Sequence, residues 1–597
     1  MTQTTQRWQR EVTFWRHARR AYPLGTVVGP GLVVLAAVAS FATMVATGRL
    51  VTAVVDGDPV WTWLALVVAG MITQPVAMAA LDAVGAVHQM RLTEQRHRMI
   101  AEAALAPHGI GHLEDPQQAG RVAALTEHVR SAVGLQEIGS VWRVLAIRAT
   151  GVAALVVVAS WSWWIALGVL LAQLVQGHLF TSYIDVVNRE LLTESSVERR
   201  RARYLFQRLT VRDAAKEVRL FGLTPWLLGE YARTWEAVND NSIRARRAAM
   251  RRSLAGAVLL SAGIAAALAW LVRDAWVGAV GVGAVVTIVQ GIDGLASFGA
   301  LGDQSVRSGR ARETELRLAE LVGGAAGLPA LATAASAAGR GAARVDLDDV
   351  TFTYPSRTEP TLRGLDLHVP AGQSVAIVGV NGVGKSTLIK LLCGLYPPDA
   401  GTVRIDGRDP ATADDVRRRV AVIFQEFVRY HLSLRDNVTM SEGREPGAFE
   451  EALADAAGED VLGRVGGDWD TVLDPGYAGG TDLSGGQWQR VALARALLAV
   501  RRGAGVLVLD EPTAALDVRA EAQIFDRFLQ VTRGVTTILV SHRLSSVRHA
   551  ERIVVLGPDG IVEDGSHEEL LARDGDYARM FRLQAARFAS AGGQVQA

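Results

Sequence analysis

The sequence holds one cysteine, Cys393, and only three lysines, Lys216, Lys385 and Lys390. A single cysteine excludes an internal disulfide framework and any multi-cysteine metal site. In "TLIKLLCGL", Cys393 reads as small filler on an apolar helix. Net charge is scarce as well. The 62 basic and 61 acidic residues leave +1, which argues against a general nucleic-acid binder, whose footprint is a basic excess. The first 20 residues are polar and basic, without the short apolar core and cleavage site of a signal peptide. The shortage of lysine makes each one informative. Where a guanidinium serves, this chain uses arginine, so Lys385 reads as a place that needs a compact ammonium.

Apolar length is abundant. The chain of 597 residues is 49% hydrophobic, and its mean hydropathy is +0.19. Six apolar stretches lie near 22–48, 60–88, 139–160, 164–186, 253–272 and 275–300. Each offers about 20 residues, enough for a helix to cross a bilayer. Arginine crowds the N-terminal tail and the segments 89–138 and 187–252. The positive-inside rule then predicts both termini and both long loops on the cytoplasmic side. Trp161, Trp163 and Trp164 fall at an outer turn, as interfacial aromatics do. The inner loops are too long for connections. Their helical periodicity predicts that the spans continue beyond the lipid, with "HLEDPQQAGRV" (112–122) and "AAKEVRLFGL" (214–223) at the tips.

Residues 321–344 are small and unpatterned, a linker. Beyond them short apolar runs alternate with helical segments: "SVAIVG", "VAVIFQ", "VLVLDE" and "TTILVSH". The expected fold class is therefore an α-helical six-span transmembrane domain (1–320) followed by an α/β P-loop ATPase domain (345–597) with a mainly parallel sheet.

"GVNGVGKST", Gly379 to Thr387, follows an apolar strand and opens a helix, the context that a phosphate-binding loop requires. Gly379, Asn381, Gly382 and Gly384 let backbone N–H groups face a phosphate at the helix N-terminus. Lys385 is expected to reach the β- and γ-phosphates of ATP, with the Ser386 hydroxyl on Mg²⁺ and Thr387 beside it. "VLVLDE" is a strand ending in two acids, Asp510 for Mg²⁺ and Glu511 to polarise the attacking water. His542 and Gln425 also end strands, and neither is informative alone. A second glycine-rich loop, "LSGGQ" (483–487), opens another helix and has no lysine. Ser484, Gly485 and Gly486 there offer donors suited to an anion.

With these motifs the second half resembles the nucleotide-binding domain of ABC transporters. Gln425 stands at the Q-loop position, also a Mg²⁺ contact. Ser484 to Gln487 form the signature, "AALD" (514–517) with Asp517 the D-loop, and His542 the switch histidine. Tyr354, 25 residues before Gly379, matches the aromatic that stacks on adenine. The first half resembles the six-helix exporter-type membrane domain. The resemblance implies a half-transporter that dimerises head to tail, each signature loop closing on the ATP held by its partner. Glu511, His542 and the signature serine are all present, which favours a homodimer and leaves a heterodimer open. The expected setting is a bacterial plasma membrane, with membrane lipid and a transported substrate as the other partners.

Cargo is less legible. Trp488 and "FQEFVRYHLSLRDNV" (424–438) resemble the branch of bacterial lanthipeptide and related peptide exporters. "DPGYAGG" (474–480) lacks the glutamate that this family commonly uses towards its coupling segments. Gln173, Gln176, Gln290, Asp293 and Asp82 are polar candidates within or near the spans. Few charges lie in the spans, which suits a hydrophobic or amphipathic cargo. A lipid or multidrug exporter and a siderophore importer of exporter shape are the competing expectations.

Overall fold

A computed structural model describes residues 3–131, 134–192, 197–299, 301–326, 341–440, 447–511, 531–541 and 544–592. The chain divides into two compact units: 1–102 with 122–323, and 103–121 with 324–597.

The first unit is helical. Its main helices are α1 (Gln3–Ala21), α2 (Pro23–Asp56), α3 (Trp61–Leu105), α4 (Pro116–Arg130), α5 (Glu137–Trp161), α6 (Trp163–Leu192), α7 (Thr224–Trp276), α8 (Val282–Gly294) and α9 (Asp303–Ala326). Among the described residues, six segments are long and apolar enough to span a membrane: 23–56, 61–105, 134–161, 163–183, 246–276 and 282–325. They coincide with the six stretches expected, and several run further. The 45 residues of α3 and the 53 of α7 reach about 68 and 80 Å at ~1.5 Å per residue, far beyond a ~30 Å hydrocarbon core. Candidate spans two and five are thus longer than a bilayer requires, in keeping with the loop periodicity.

The sixth stretch departs from one continuous helix. α8 stops at Gly294, a 3₁₀ turn covers Leu295–Phe298, and helix resumes at Asp303. Gly294, Gly299 and Gly302 crowd this stretch, and glycine is a poor helix former. Arg148 satisfies carbonyls freed by the break, donating to Ser297 O at 2.6 Å and Gly299 O at 3.1 Å. Helices α2 and α8 meet through glycine. A Cβ on Gly283 would lie 2.2 Å from the Gly48 carbonyl oxygen, so only hydrogen fits there.

A buried ion network pins α1, α3, α4, α5 and α9 together. Arg96 donates to Glu315 at 2.7 Å and pairs with Glu137 at 2.8 Å. His17 meets Glu315 at 2.6 Å and His128 meets Glu137 at 2.7 Å. Arg96, Glu137 and Glu315 are wholly buried.

Among the described residues, the second unit carries two sheets. Strands β5 (Val420–Ile423), β6 (Val506–Asp510), β7 (Thr536–Val540), β3 (Ser374–Val378), β8 (Arg552–Gly557) and β9 (Gly560–Gly565) form one sheet in that order. It is parallel except for the β8–β9 pair. β6 and β7 are buried at every residue, which explains their unbroken apolar runs. The sequence reading did not anticipate the second sheet, antiparallel β2 (Leu362–Val369), β1 (Val345–Phe352) and β4 (Ala400–Ile405).

Segment 103–121 packs within this second unit. Ile110 N donates to Leu395 O at 3.0 Å, and His108 Nε2 lies 3.1 Å from Pro410 O. Gly109 permits the approach, since a Cβ there would fall 2.8 Å from Leu395 O. Of the expected linker, 321–326 continue α9, 327–340 lie outside the described residues, and 341–344 lead into β1.

Candidate functional site

The parallel strands deliver their chemistry to one edge. Ile423 pairs with Leu509, Asp510 with Val540, and Ile377 with Val540. Gln425, Asp510, Glu511 and the loop after β3 therefore emerge side by side, at the C-terminal edge where open α/β sheets bind ligands. They line a cleft of about 690 Å³ with Tyr354, Asn381, Gly382, Gly384, Lys385, Ser386 and Thr387.

The loop from Gly379 to Gly384 is shaped by steric need. A Cβ on Gly379 would lie 2.4 Å from Leu556 O. Gly384 has φ +104° and would press a Cβ to 2.6 Å from Leu362. It caps α10 (Lys385–Leu392), so the N–H groups at the start of that helix open on the cleft. Lys385 Nζ donates to the carbonyls of Gly379 and Val380, at 2.8 and 3.0 Å. Burial pulls its pKa down, opposed by Glu511 and Asp510.

The two acids differ. Asp510 is 5% exposed. Burial and then Glu511 push its pKa up to about 6, against hydrogen bonding from Ser386 and the charge of Lys385. Glu511 sits in the left-handed region, at φ +51°, a conformation that costs a non-glycine residue about 1–3 kcal/mol. Its N–H donates to Val540 O at 2.9 Å, and its carboxylate accepts from Gln425 Nε2 at 3.1 Å. A strained acid beside a buried, hard-to-ionise acid is an arrangement found at catalytic centres. Sequence reading placed both residues but missed the backbone strain. It also missed Arg357 and Thr361, which join the lining from a loop without a phosphate-binding signature.

The second glycine-rich loop is elsewhere. Ser484 caps α11 (Gly485–Arg501), accepting from Gln487 N at 3.3 Å while Gln487 Oε1 accepts from Ser484 N at 3.0 Å. Gly485 and Gly486 form the first turn of α11, where N–H groups lack intrahelical acceptors. None of Ser484 to Gln487 lines the cleft. Asp517 and His542 lie outside the described residues. Trp488 is 2% exposed and its Nε1 donates to Asp482 at 3.3 Å. It is a core residue. Cys393 is buried as expected, with its thiol pushed up to about 12.

The polar candidates in the spans separate. Gln173 is buried, and a Cβ on Gly299 would fall 2.4 Å from its Oε1. Gln176 Oε1 is buried without a hydrogen-bond partner among the described residues. Asp82 is paired with Arg143. Asp293 is exposed on α8, and Gln290 is half-buried.

Comparison with known proteins follows the same division. Residues 362–514 match the family described as ABC transporter. The chain is 37% identical over 244 residues to an ATP-dependent lipid A-core flippase of Syntrophus aciditrophicus, covering 40% of this chain and 39% of that protein. It is 39% identical over 244 residues to the mycobactin import ATP-binding/permease protein IrtB of Mycobacterium bovis, covering 40% and 41%. The chain thus matches about two fifths of the length of these curated relatives. In three dimensions it is similar to a bacterial Atm1-family ABC exporter solved with ATP bound. That likeness covers 94% of this chain and 99% of the other, with TM-score 0.76 and 25% identity. The fold, six candidate membrane helices followed by an α/β nucleotide-binding domain, is therefore similar to that of this ABC exporter.

Proposed function

We propose that the chain is an ATP-driven exporter of a hydrophobic or amphipathic substrate, working as a dimer by alternating access. It sits in a bacterial plasma membrane with both termini in the cytoplasm. The observation that carries this reading is one cleft that holds Lys385, Asp510 and Glu511 together, on a chain with six candidate spans. Tyr354 stacks on the adenine. Gly379 to Thr387 wrap the phosphates, and Lys385 exchanges the carbonyls of Gly379 and Val380 for phosphate oxygens. Glu511 and Gln425 hold the attacking water, with Glu511 as the acceptor of its proton. The Asp510 carboxylate and Ser386 hydroxyl are in contact, and such oxygen donors fit Mg²⁺. Bound there, Mg²⁺ would neutralise charge on the phosphates.

Ser484 to Gln487 stand apart from the cleft, which supports a role towards the ATP of a second copy. ATP must bind the closed dimer more tightly than the open one for that closure to drive the membrane helices. Both acids and the signature serine are in this chain, in favour of a homodimer.

The cargo class rests on spans with few charges. A modified peptide is the class suggested by the stretch 424–438. Trp488 adds nothing to it, because it fills the core of the nucleotide domain. The test uses protein in liposomes with nucleotide domains outward and follows ATP-dependent accumulation of a modified peptide, a lipid analogue and a hydrophobic dye, with Glu511→Gln as control. Uptake of any of them by wild type alone supports export. Uptake of peptide alone supports the peptide class, and uptake of lipid or dye with peptide excluded removes it. ATP-dependent loss of a preloaded siderophore would reverse the direction.

A further inference from the structure

Lys390 is one of only three lysines, and hydrolysis as described gives it no task. It stands on α10, five residues beyond Lys385. Its Nζ donates to Glu114 Oε1 at 2.8 Å. It also lies 5.3 Å from the Tyr354 ring centroid and 5.8 Å from that of Tyr396, within cation–π range. The other Glu114 oxygen accepts the Tyr396 hydroxyl.

The Tyr354 ring is held on several sides. Tyr396 meets it edge to face at 5.6 Å, and Phe352 does so at 5.0 Å. Its hydroxyl lies 3.1 Å from Thr387 Oγ1. Tyr354 lines the cleft, whereas Lys390, Tyr396 and Glu114 do not. These groups therefore grip the ring without occupying the place of a base. Glu114 belongs to segment 103–121, which is docked on the same unit through Ile110 and His108.

We infer that Lys390, held by Glu114, is the positioning residue of the base-binding aromatic. Through Tyr354 it sets the affinity for the purine of the nucleotide, and Glu114 makes that affinity depend on the docking of segment 103–121. The inference rests on the stacking role proposed above for Tyr354. A cation on a ring face fixes the plane of the ring, and a pre-set plane lowers the ordering cost of stacking a base on it. A base that fixes the ring in turn favours the docked Glu114, because such coupling is reciprocal.

The test uses the full chain in detergent. It measures binding of ATP and, by competition, of inorganic tripolyphosphate, which has no base. Lys390→Met and Glu114→Gln should each weaken ATP binding about three- to ten-fold, the range of a partly desolvated cation–π contact. Both should raise KM for ATP without lowering kcat, and both should leave tripolyphosphate binding unchanged. The double variant should be no weaker than Lys390→Met, and Lys390→Arg should restore binding. Tyr354→Ala should weaken ATP binding more than either. If Tyr354→Ala leaves ATP binding intact, the stacking role fails and the inference falls with it. If Tyr354→Ala weakens it but the Lys390 and Glu114 variants do not, the inference alone fails. An equal loss for tripolyphosphate would likewise reduce Lys390 to a structural residue.

Discussion

In the helical unit, Glu137 and Glu315 are wholly buried, and each meets Arg96 and a histidine. In the nucleotide unit Asp510 is nearly as buried, and its chain neighbour is a second acid, Glu511. The first group shares one guanidinium, Arg96, between its two carboxylates and adds a hydrogen-bonded histidine to each. The second sets two acids side by side, one of them strained, and holds its lysine on backbone carbonyls. Mutual pairing is what a fold needs to keep charges inside. Like charges held together at a cleft store a demand that a ligand can meet. The two regions thus distinguish charge that builds the molecule from charge that works in it.

The comparison is tested most severely at Glu511. Glu511→Gln keeps the shape and removes the proposed base. Hydrolysis should fall about 10²- to 10⁴-fold while ATP binding by filtration or fluorescence stays near wild type. A variant that hydrolyses normally would take Glu511 out of the chemistry.

Arg96 comes next. Arg96→Met leaves two carboxylates buried without their shared cation and should cost about 3–5 kcal/mol, read as a loss of thermal stability. Adding Glu137→Gln and Glu315→Gln should recover much of that loss. If Arg96→Met is as stable as wild type, the network is not what holds those helices.

Asp510 gives the smallest effect on stability and the sharpest contrast. Its pKa lies near 6, raised from 3.8 by burial and Glu511. The folded state therefore holds this proton more tightly than the unfolded chain, so its ionisation at neutral pH costs stability. Without nucleotide, Asp510→Asn should raise the melting temperature by a few degrees at pH 7. The gain should shrink as pH falls through about 6 towards 4, where wild type is protonated too. The same variant should lose Mg²⁺-dependent hydrolysis. A destabilised Asp510→Asn protein would place Asp510 with the paired charges instead.

Legibility followed distance along the chain. The loop 379–387 and the strand 506–510 were readable because their chemistry lies within a few residues. The parallel strands stood out as unbroken apolar runs. β1, β2 and β4 did not, because β2 alternates buried and exposed residues around polar ones. The six spans were plain from length, yet the break at 295–302 hid within an apolar stretch rich in glycine. The Arg96 network joins residues as far as 298 apart, His17 and Glu315, and the Lys390–Glu114 pair 276. No local pattern announces such partners. Trp488 was visible as unusual, but only its burial showed what it does.

The proposed working site needs two copies, the P-loop of one and the signature loop of the other. Lys385→Ala and Ser484→Arg should each inactivate the protein when expressed alone. Co-expressed with different tags and purified as the mixed dimer, they leave one composite site with both Lys385 and Ser484 intact. The account predicts that ATP hydrolysis returns in the mixed dimer. A mixed dimer as inactive as its parents, with nucleotide still bound by the Ser484→Arg chain, would contradict it.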